Sequence, residues 1–238
     1  MMAKEKTLVV IGGSSGIGLR TAQLAAARGI AVVIGGRDAN RLDAALRTLP
    51  ASARGTTVDA TSSRSLQAFF QDLSQVDMLF TPGTSYAVGG FADSDEALAR
   101  SPFEGKFWPQ YWAAHAALEK LAPDASILLM AGAASARPIK GGAGYAAANA
   151  AIEGLARGLA TELAPRRVNA LSPGTVDSEL WRGRPQALRE QAYAHYRGAT
   201  LLGQVAHVDD IAQAALFLLT NGFMTGSTLF ADGGYALR

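Results

Sequence analysis

Glycines and serines crowd into one stretch near the start of the chain, Gly12 to Gly18, read GGSSGIG. It follows the apolar run Leu8 to Ile11 and opens an Ala-rich segment that ends near Arg28. A buried strand that turns through glycines into a helix gathers bare backbone N–H groups and the positive end of the helix dipole at one point, where a pyrophosphate can sit. Gly12 would permit the tight turn, Gly16 the close approach of phosphates and Gly18 the packing of helix on strand, with Ser14, Ser15 and Ile17 between them. After the next apolar run, Ile30 to Ile34, an acidic residue would accept from ribose hydroxyls and repel a 2′-phosphate, but the chain reads Gly35, Gly36, Arg37. Arginine there can hold a phosphate through a bidentate, charge-assisted pair, helped by Ser14, Ser15 and Arg41, so the residues favour NADP(H).

The elements that must position these residues alternate along the whole chain. Apolar strands are expected at Leu8 to Ile11, Ile30 to Ile34, Thr56 to Val58, Asp77 to Phe80, Ile127 to Met130, Val168 to Leu171 and Thr228 to Ala231. Between them lie helical patterns, among them Leu66, Phe69, Phe70 and Leu73 at helical spacing, Gly144 to Ala164, and Ile211 to Leu219. Ser101-Pro102 reads as a cap followed by a first-turn proline, starting a helix that runs to about Leu121. Short apolar strands with intervening helices predict an α/β fold, a doubly wound parallel sheet with helices on both faces, in one domain over residues 1–238. Ligands in such sheets bind at the carboxyl ends of the strands, which points to Gly12–Gly18, Gly36-Arg37, Asp59-Ala60 and Ser172-Pro173-Gly174.

Composition narrows the function classes. A hydrophobic fraction of 49% against 18% charged residues belongs to a chain with a packed core. A net charge of +2 without a basic run argues against nucleic-acid binding. With no cysteine, and with His115, His195 and His207 scattered, the sequence offers no metal site. The opening MMAKEKTLVV lacks the pattern of a signal peptide, and no apolar run approaches the ~18 to 20 residues that span a bilayer, so a cytoplasmic protein is expected.

Over nearly its whole length the sequence resembles the short-chain dehydrogenase/reductase family. The residues that carry the resemblance are VIGGSSGIG at Val10 to Gly18, Val58-Asp59, Tyr145 at the opening of a long helix, RVNALSPGTV at Arg167 to Val176, and MTGSTLFADGG at Met224 to Gly234. The resemblance implies a Rossmann fold of about seven parallel strands, a nicotinamide cofactor, hydride transfer between a carbonyl and an alcohol, and a tyrosine as acid or base. Asp59 and Ala60 would lie at the adenine, and Thr81 and Gly83 in the loop after strand four, with Pro173, Gly174 and Val176 among the cofactor-binding residues. A homodimer or homotetramer is also implied, with Ala113, Ala114, Ala116, Ala117 and Ala146 to Ala148 letting helices approach at the interface.

Departures from the family pattern are informative. Its active-site helix usually reads YxxxK, whereas here Tyr145 is followed by Asn149, and a lysine, Lys106, stands where an earlier helix usually carries asparagine. That exchange is similar to the ketoreductases of fatty-acid and polyketide synthases. A phenol needs a positive charge nearby to lower its pKa, whichever helix supplies it, and Asn149, on the same helix face as Tyr145, could orient a ribose hydroxyl or a water. Pro109 inside a helix would leave the Gly105 carbonyl free to hold a relay water. The usual serine falls on Gly132, so Ser135 becomes the candidate hydroxyl. A segment of about residues 177–203, with Trp181, Arg182, Arg184, Arg189 and Arg197, resembles the family's substrate lid. The expectation is an NADP-dependent ketoreductase acting on a small carbonyl substrate, with Tyr145, Lys106, Asn149 and Ser135 at its catalytic site. The alternative is a cofactor-binding sensor or scaffold with little chemistry.

Overall fold

The computed structural model describes residues 6–238. Met1 to Glu5, part of the N-terminal stretch considered above, lie outside the described residues. Strand β1 (Thr7–Ile11) leads into α1 (Gly16–Ala26), β2 (Ala31–Gly36) into α2 (Ala39–Leu46), and β3 (Arg54–Thr57) into α3 (Ser63–Gln71). After β4 (Val76–Thr81) a loop reaches α4 (Glu96–Pro102), which passes through one π-helical turn, Phe103–Phe107, into α5 (Trp108–Ala117). Then come β5 (Leu121–Met130), α6 (Ala143–Glu162) and β6 (Arg167–Pro173). The segment beyond holds β7 (Val176–Asp177), α7 (Glu179–Arg182), α8 (Gln186–Ala199) and β8 (Ala206–His207), and the chain closes with α9 (Val208–Thr220) and β9 (Thr228–Ala231).

Seven of these strands pair in parallel in the order β3-β2-β1-β4-β5-β6-β9. Both faces of the sheet are covered, which is why its strands read as continuous apolar runs. Successive residues of β1 serve opposite layers: Val9 and Ile11 pack with Leu79, Ile127 and Leu129 under α3, α5 and α6, while Leu8 and Val10 pack with Ile34, Phe80 and Leu128 under α1, α2 and α9. Each such side chain, fully buried, contributes on the order of 1.5 to 3 kcal/mol. Ala113, Ala117 and Ala148 are buried inside this chain, the first two of them in the core beneath the sheet.

Local chemistry sets the helix starts. Asp38 accepts from the Arg41 N–H at 3.0 Å and Ser62 from the Ser65 N–H at 3.2 Å, each satisfying an otherwise unpaired first-turn amide. The helix expected to start at Ser101-Pro102 instead starts at Glu96, because Asp95 accepts from the Leu98 N–H at 2.8 Å, and Pro102 ends α4. Strand β5 begins at Leu121, well before the expected Ile127.

The strand order reverses between β1 and β4: successive strands after β1 are added on one side, and those from β4 onward on the other. A cleft forms at the carboxyl ends beside that reversal, because the loops of the two halves leave in opposite directions.

Candidate active site

One cleft of about 1120 Å³ runs across the carboxyl edge of the sheet. Its first end is the β1–α1 loop. Gly12 has a φ of +97°, and a Cβ there would fall 2.5 Å from the Gly83 backbone; a Cβ on Gly18 would fall 2.2 Å from the Gly12 carbonyl oxygen. These two glycines therefore let strand, helix and the β4 loop touch. Gly16 faces open space at φ +53°, and Ser15 places no side-chain cap on α1, so the first-turn amides of that helix are left for an anion. A missing side chain at Gly36, where a Cβ would meet the Ser14 hydroxyl at 2.8 Å, brings Ser14 against β2 beside Arg37. Arg37 is exposed on the same wall as Ser14, Ser15 and Arg41.

Asp59 and Ala60 line the next stretch. The Asp59 carboxylate accepts from the Thr61 hydroxyl at 2.7 Å and the Thr61 N–H at 3.0 Å. Those two bonds, with Arg37 helping at longer range, hold its pKa below the ordinary carboxylate value. Gly83, Pro173, Gly174 and Val176 also face the cleft, whereas Thr81 does not. Thr81 is buried, its hydroxyl donating to Gln110 Oε1 at 3.0 Å, so the expected cofactor contact at this position is corrected to a packing role.

At the far end stands Tyr145, two residues inside α6. Lys106 reaches it from the π turn. Only 3% exposed, Lys106 donates through Nζ to the Ala131 carbonyl at 2.7 Å and to Asn149 Oδ1 at 2.5 Å, and the ammonium lies 5.1 Å from the centre of the Tyr145 ring. Burial pulls the lysine pKa down, opposed by Tyr145 and Glu153. For Tyr145 burial pushes up, but the Lys106 charge and hydrogen bonds from Tyr86, Asn149 and Lys106 outweigh it, and the net shift is downward.

Asn149 is fully buried and both ends of its amide are used: Oδ1 takes the lysine, and Nδ2 donates to the Tyr145 carbonyl at 2.7 Å. It does not face the cleft, so the expected ribose or water contact is corrected to a role in seating Lys106. The Gly105 carbonyl is likewise not free; it accepts from the Ser85 N–H at 3.0 Å, which removes the expected relay water. Ser135 is also placed elsewhere. Its hydroxyl donates to Glu153 Oε1 at 2.5 Å, next to Ser172, which donates to the same oxygen at 2.7 Å, and Ser135 is not part of the cleft wall.

Two residues of this end escape sequence reasoning. Gln110 donates to the carbonyls of Lys106 (3.0 Å) and Met130 (2.9 Å) and accepts from the Met130 N–H (2.6 Å), clamping the lysine-bearing turn to β5. A polar residue one turn after Lys106 on the core face of α5 was the available signal. Tyr86, in the β4 loop, stacks on Tyr145 with ring centres 5.0 Å apart and planes at 21°. Nothing in the irregular stretch around it marks that contact.

Over this end lies the segment with α7 and α8. Asp177 accepts from Tyr193 Oη at 3.0 Å and from Arg182 Nε at 3.2 Å, tying the two helices to β7. Trp181 and Arg184 face the cleft, the guanidinium 4.5 Å from the indole centre. Among the described residues no helix is long and apolar enough to cross a membrane.

Comparison with known proteins agrees with this fold. The family model described as enoyl-(acyl carrier protein) reductase matches residues 11–236. Short-chain dehydrogenase/reductase ATR9 of Stachybotrys chlorohalonatus is 31% identical over 98% of both chains. Carbonyl reductase family member 4 of Danio rerio is 30% identical over 96% of this chain and 97% of its own. Among solved structures, a small-chain dehydrogenase in complex with NADPH superposes with a TM-score of 0.85 at 30% identity, covering 99% of this chain and 100% of that one. An NADPH-bound short chain oxidoreductase from Pseudomonas aeruginosa, described as containing an atypical catalytic center, gives 0.88 at 30% identity over 96% of each chain. Matched from the end of β1 to beyond β9, and built on the same parallel sheet, the chain belongs to the short-chain dehydrogenase/reductase family of oxidoreductases.

Proposed function

We propose that the protein is an NADPH-dependent carbonyl reductase of the ketoreductase type, with Tyr145 as its general acid. The observation that carries this reading is the buried Lys106 ammonium beside Tyr145, delivered by a different helix from the one that carries the tyrosine. A scaffold that did no chemistry would have no use for a desolvated lysine so placed, since burying one is costly unless its charge is used.

The cleft residues fit the cofactor. Open amides at the start of α1, the bare Gly16 and the exposed Arg37 beside Ser14 suit a pyrophosphate and a 2′-phosphate respectively, and the first acid after β2, Asp38, is engaged with the Arg41 N–H. NADPH when bound supplies the hydride that the carbonyl carbon accepts. As negative charge develops on the carbonyl oxygen, Tyr145 gives it the phenolic proton, and the product is an alcohol. The phenolate left behind is stabilised by Lys106, which Asn149 and the Ala131 carbonyl hold in place. Residues 177–203 act as the substrate cover, anchored on Asp177, with Trp181 and Arg184 selecting what enters.

The test is NADPH consumption against ketones, diketones and β-ketoacyl thioesters. Turnover by the parent protein, reduced by about 10² to 10⁴ in Tyr145→Phe with NADPH affinity kept, is the expected result. Tight NADPH binding with no consumption on any of these carbonyls would remove the reading.

A further inference from the structure

Negative charge on a substrate oxygen is best met by two donors, and in this cleft the second has no obvious source. Gly132 has no side chain, and Ser135 is spent on Glu153. A Cβ built at Gly132 would lie 3.3 Å from Tyr145 Oη and 3.0 Å from Asn149 Oδ1, so that side of the phenol is bare.

The other side is not. Tyr86 lies parallel to Tyr145, its ring centre 5.8 Å from Lys106 Nζ, and its hydroxyl bonds that of Tyr145. Both tyrosines face the cleft. The placement is built in by the backbone on each side of Tyr86. Ser85 donates its N–H to the Gly105 carbonyl at 3.0 Å, and Ala87 donates its N–H to Ser101 Oγ at 2.8 Å. Gly105 makes the first of these possible, since a Cβ there would fall 1.7 Å from the Ser85 carbonyl oxygen. The turn that delivers Lys106 thus also fixes Tyr86.

We propose that Tyr86 is a catalytic hydrogen-bond donor to the substrate's carbonyl oxygen, supplying from the β4 loop what a serine at position 132 would supply from β5. This rests on the carbonyl-reductase reading. Tyr86 keeps its proton throughout, turning it from Tyr145 Oη in the free enzyme to the substrate oxygen; the proton that completes the alcohol comes from Tyr145, and the hydride from NADPH. The environments divide the two tasks. Burial, then the charge and hydrogen bond of Tyr145, push Tyr86 well above an ordinary phenol, with Arg184 opposing and Tyr196 reinforcing, while Tyr145 is drawn down chiefly by Lys106 against its own burial. Lys106 in turn faces Glu153. Two titrating groups held apart in acidity in this way separate a permanent donor from an acid.

Tyr86→Phe keeps the stacked ring and removes only the hydroxyl. Its kcat for the best carbonyl substrate should fall by about 10² to 10³, with KM changed far less, as when one donor to a developing oxyanion is removed. The alkaline limb of kcat/KM, which reports the free enzyme, should move upward, and so should the first of the six tyrosines to ionise, read from tyrosinate absorbance without substrate. Adding Gly132→Ser to Tyr86→Phe should return part of the lost rate. An unchanged kcat and an unchanged first ionisation in Tyr86→Phe, in a protein that Tyr145→Phe inactivates, would overturn the role of Tyr86 and leave the reductase reading standing. A parent protein with no turnover overturns both.

Discussion

Replacing Lys106 by methionine removes one charge and little volume from the most buried part of the site. The ammonium lies 5.1 Å from the Tyr145 ring centre. At that distance, with an effective dielectric of 20, a unit charge is worth about 3 kcal/mol to the phenolate, or a little over two pK units. Lys106 works against burial, the largest influence on Tyr145, and its loss removes both a charge and a hydrogen bond that hold the pKa down. The sign follows: reduction needs the protonated phenol, so activity is present below the Tyr145 pKa and is lost as pH rises through it. In the parent that loss begins below the ordinary phenol range, because the pKa is lowered. In Lys106→Met the alkaline limb should move up by about two pH units, while the rate at neutral pH falls by about 10², the kinetic equivalent of the same energy. Steady-state NADPH consumption from neutral to strongly alkaline pH measures both, with circular dichroism as the check on folding. A limb that stays where it was, in a folded variant, would refute the assignment of Lys106 as the charge that sets the acidity of Tyr145.

Other substitutions test the remaining parts. Arg37→Glu should weaken NADPH binding by roughly 10- to 100-fold, the worth of one charge-assisted hydrogen bond, and leave NADH binding less affected; equal losses for both cofactors would place the 2′-phosphate elsewhere. Ser135→Ala should leave kcat unchanged and cost about 1 kcal/mol through the lost bond to Glu153, seen as a Tm lowered by about 2 to 4 °C. A hundredfold loss of kcat in that variant would return Ser135 to the chemistry.

Much of the molecule could be read before its structure. The glycines of Gly12–Gly18 are legible because a Cβ at Gly12 or Gly18 would collide with backbone, a constraint that leaves its mark on residue type. Lys106 and Asn149 are legible as a pair because each occupies the other's usual place, and the structure brings Nζ to Oδ1 across forty-three residues. What Asn149 does there was hidden, since residue type says nothing of whether an amide faces a cleft or a lysine. Ser135 misled for a related reason. Sequence distance from Tyr145 placed it near the site, but the 3₁₀ turn Ala133–Ser135 aims its hydroxyl at Glu153. Ser101-Pro102 looked like a helix start because cap and proline have the same types at either place; Asp95, a few residues earlier, wins the role by reaching the Leu98 amide. Tyr86 was illegible because its position depends on Gly105 and Ser101, contacts that no local pattern records.

The π turn between α4 and α5 has one more consequence. There the Trp108 N–H reaches back to the Phe103 carbonyl, a residue further than an α-helix reaches, so the rod carries one residue in excess of regular winding. Since residues five apart here stand where residues four apart stand in an α-helix, deleting one residue of this turn would let the chain wind regularly while α4 and α5 kept their bearing on each other. Ser101 and Gln110 would stay where they are, while Gly105 and Lys106 inside the turn would be re-aimed, and with them the seam that holds the β4 loop. The residue count within Phe103–Phe107 therefore aims the lysine, and a deletion that removes no side chain of the site would still misplace it.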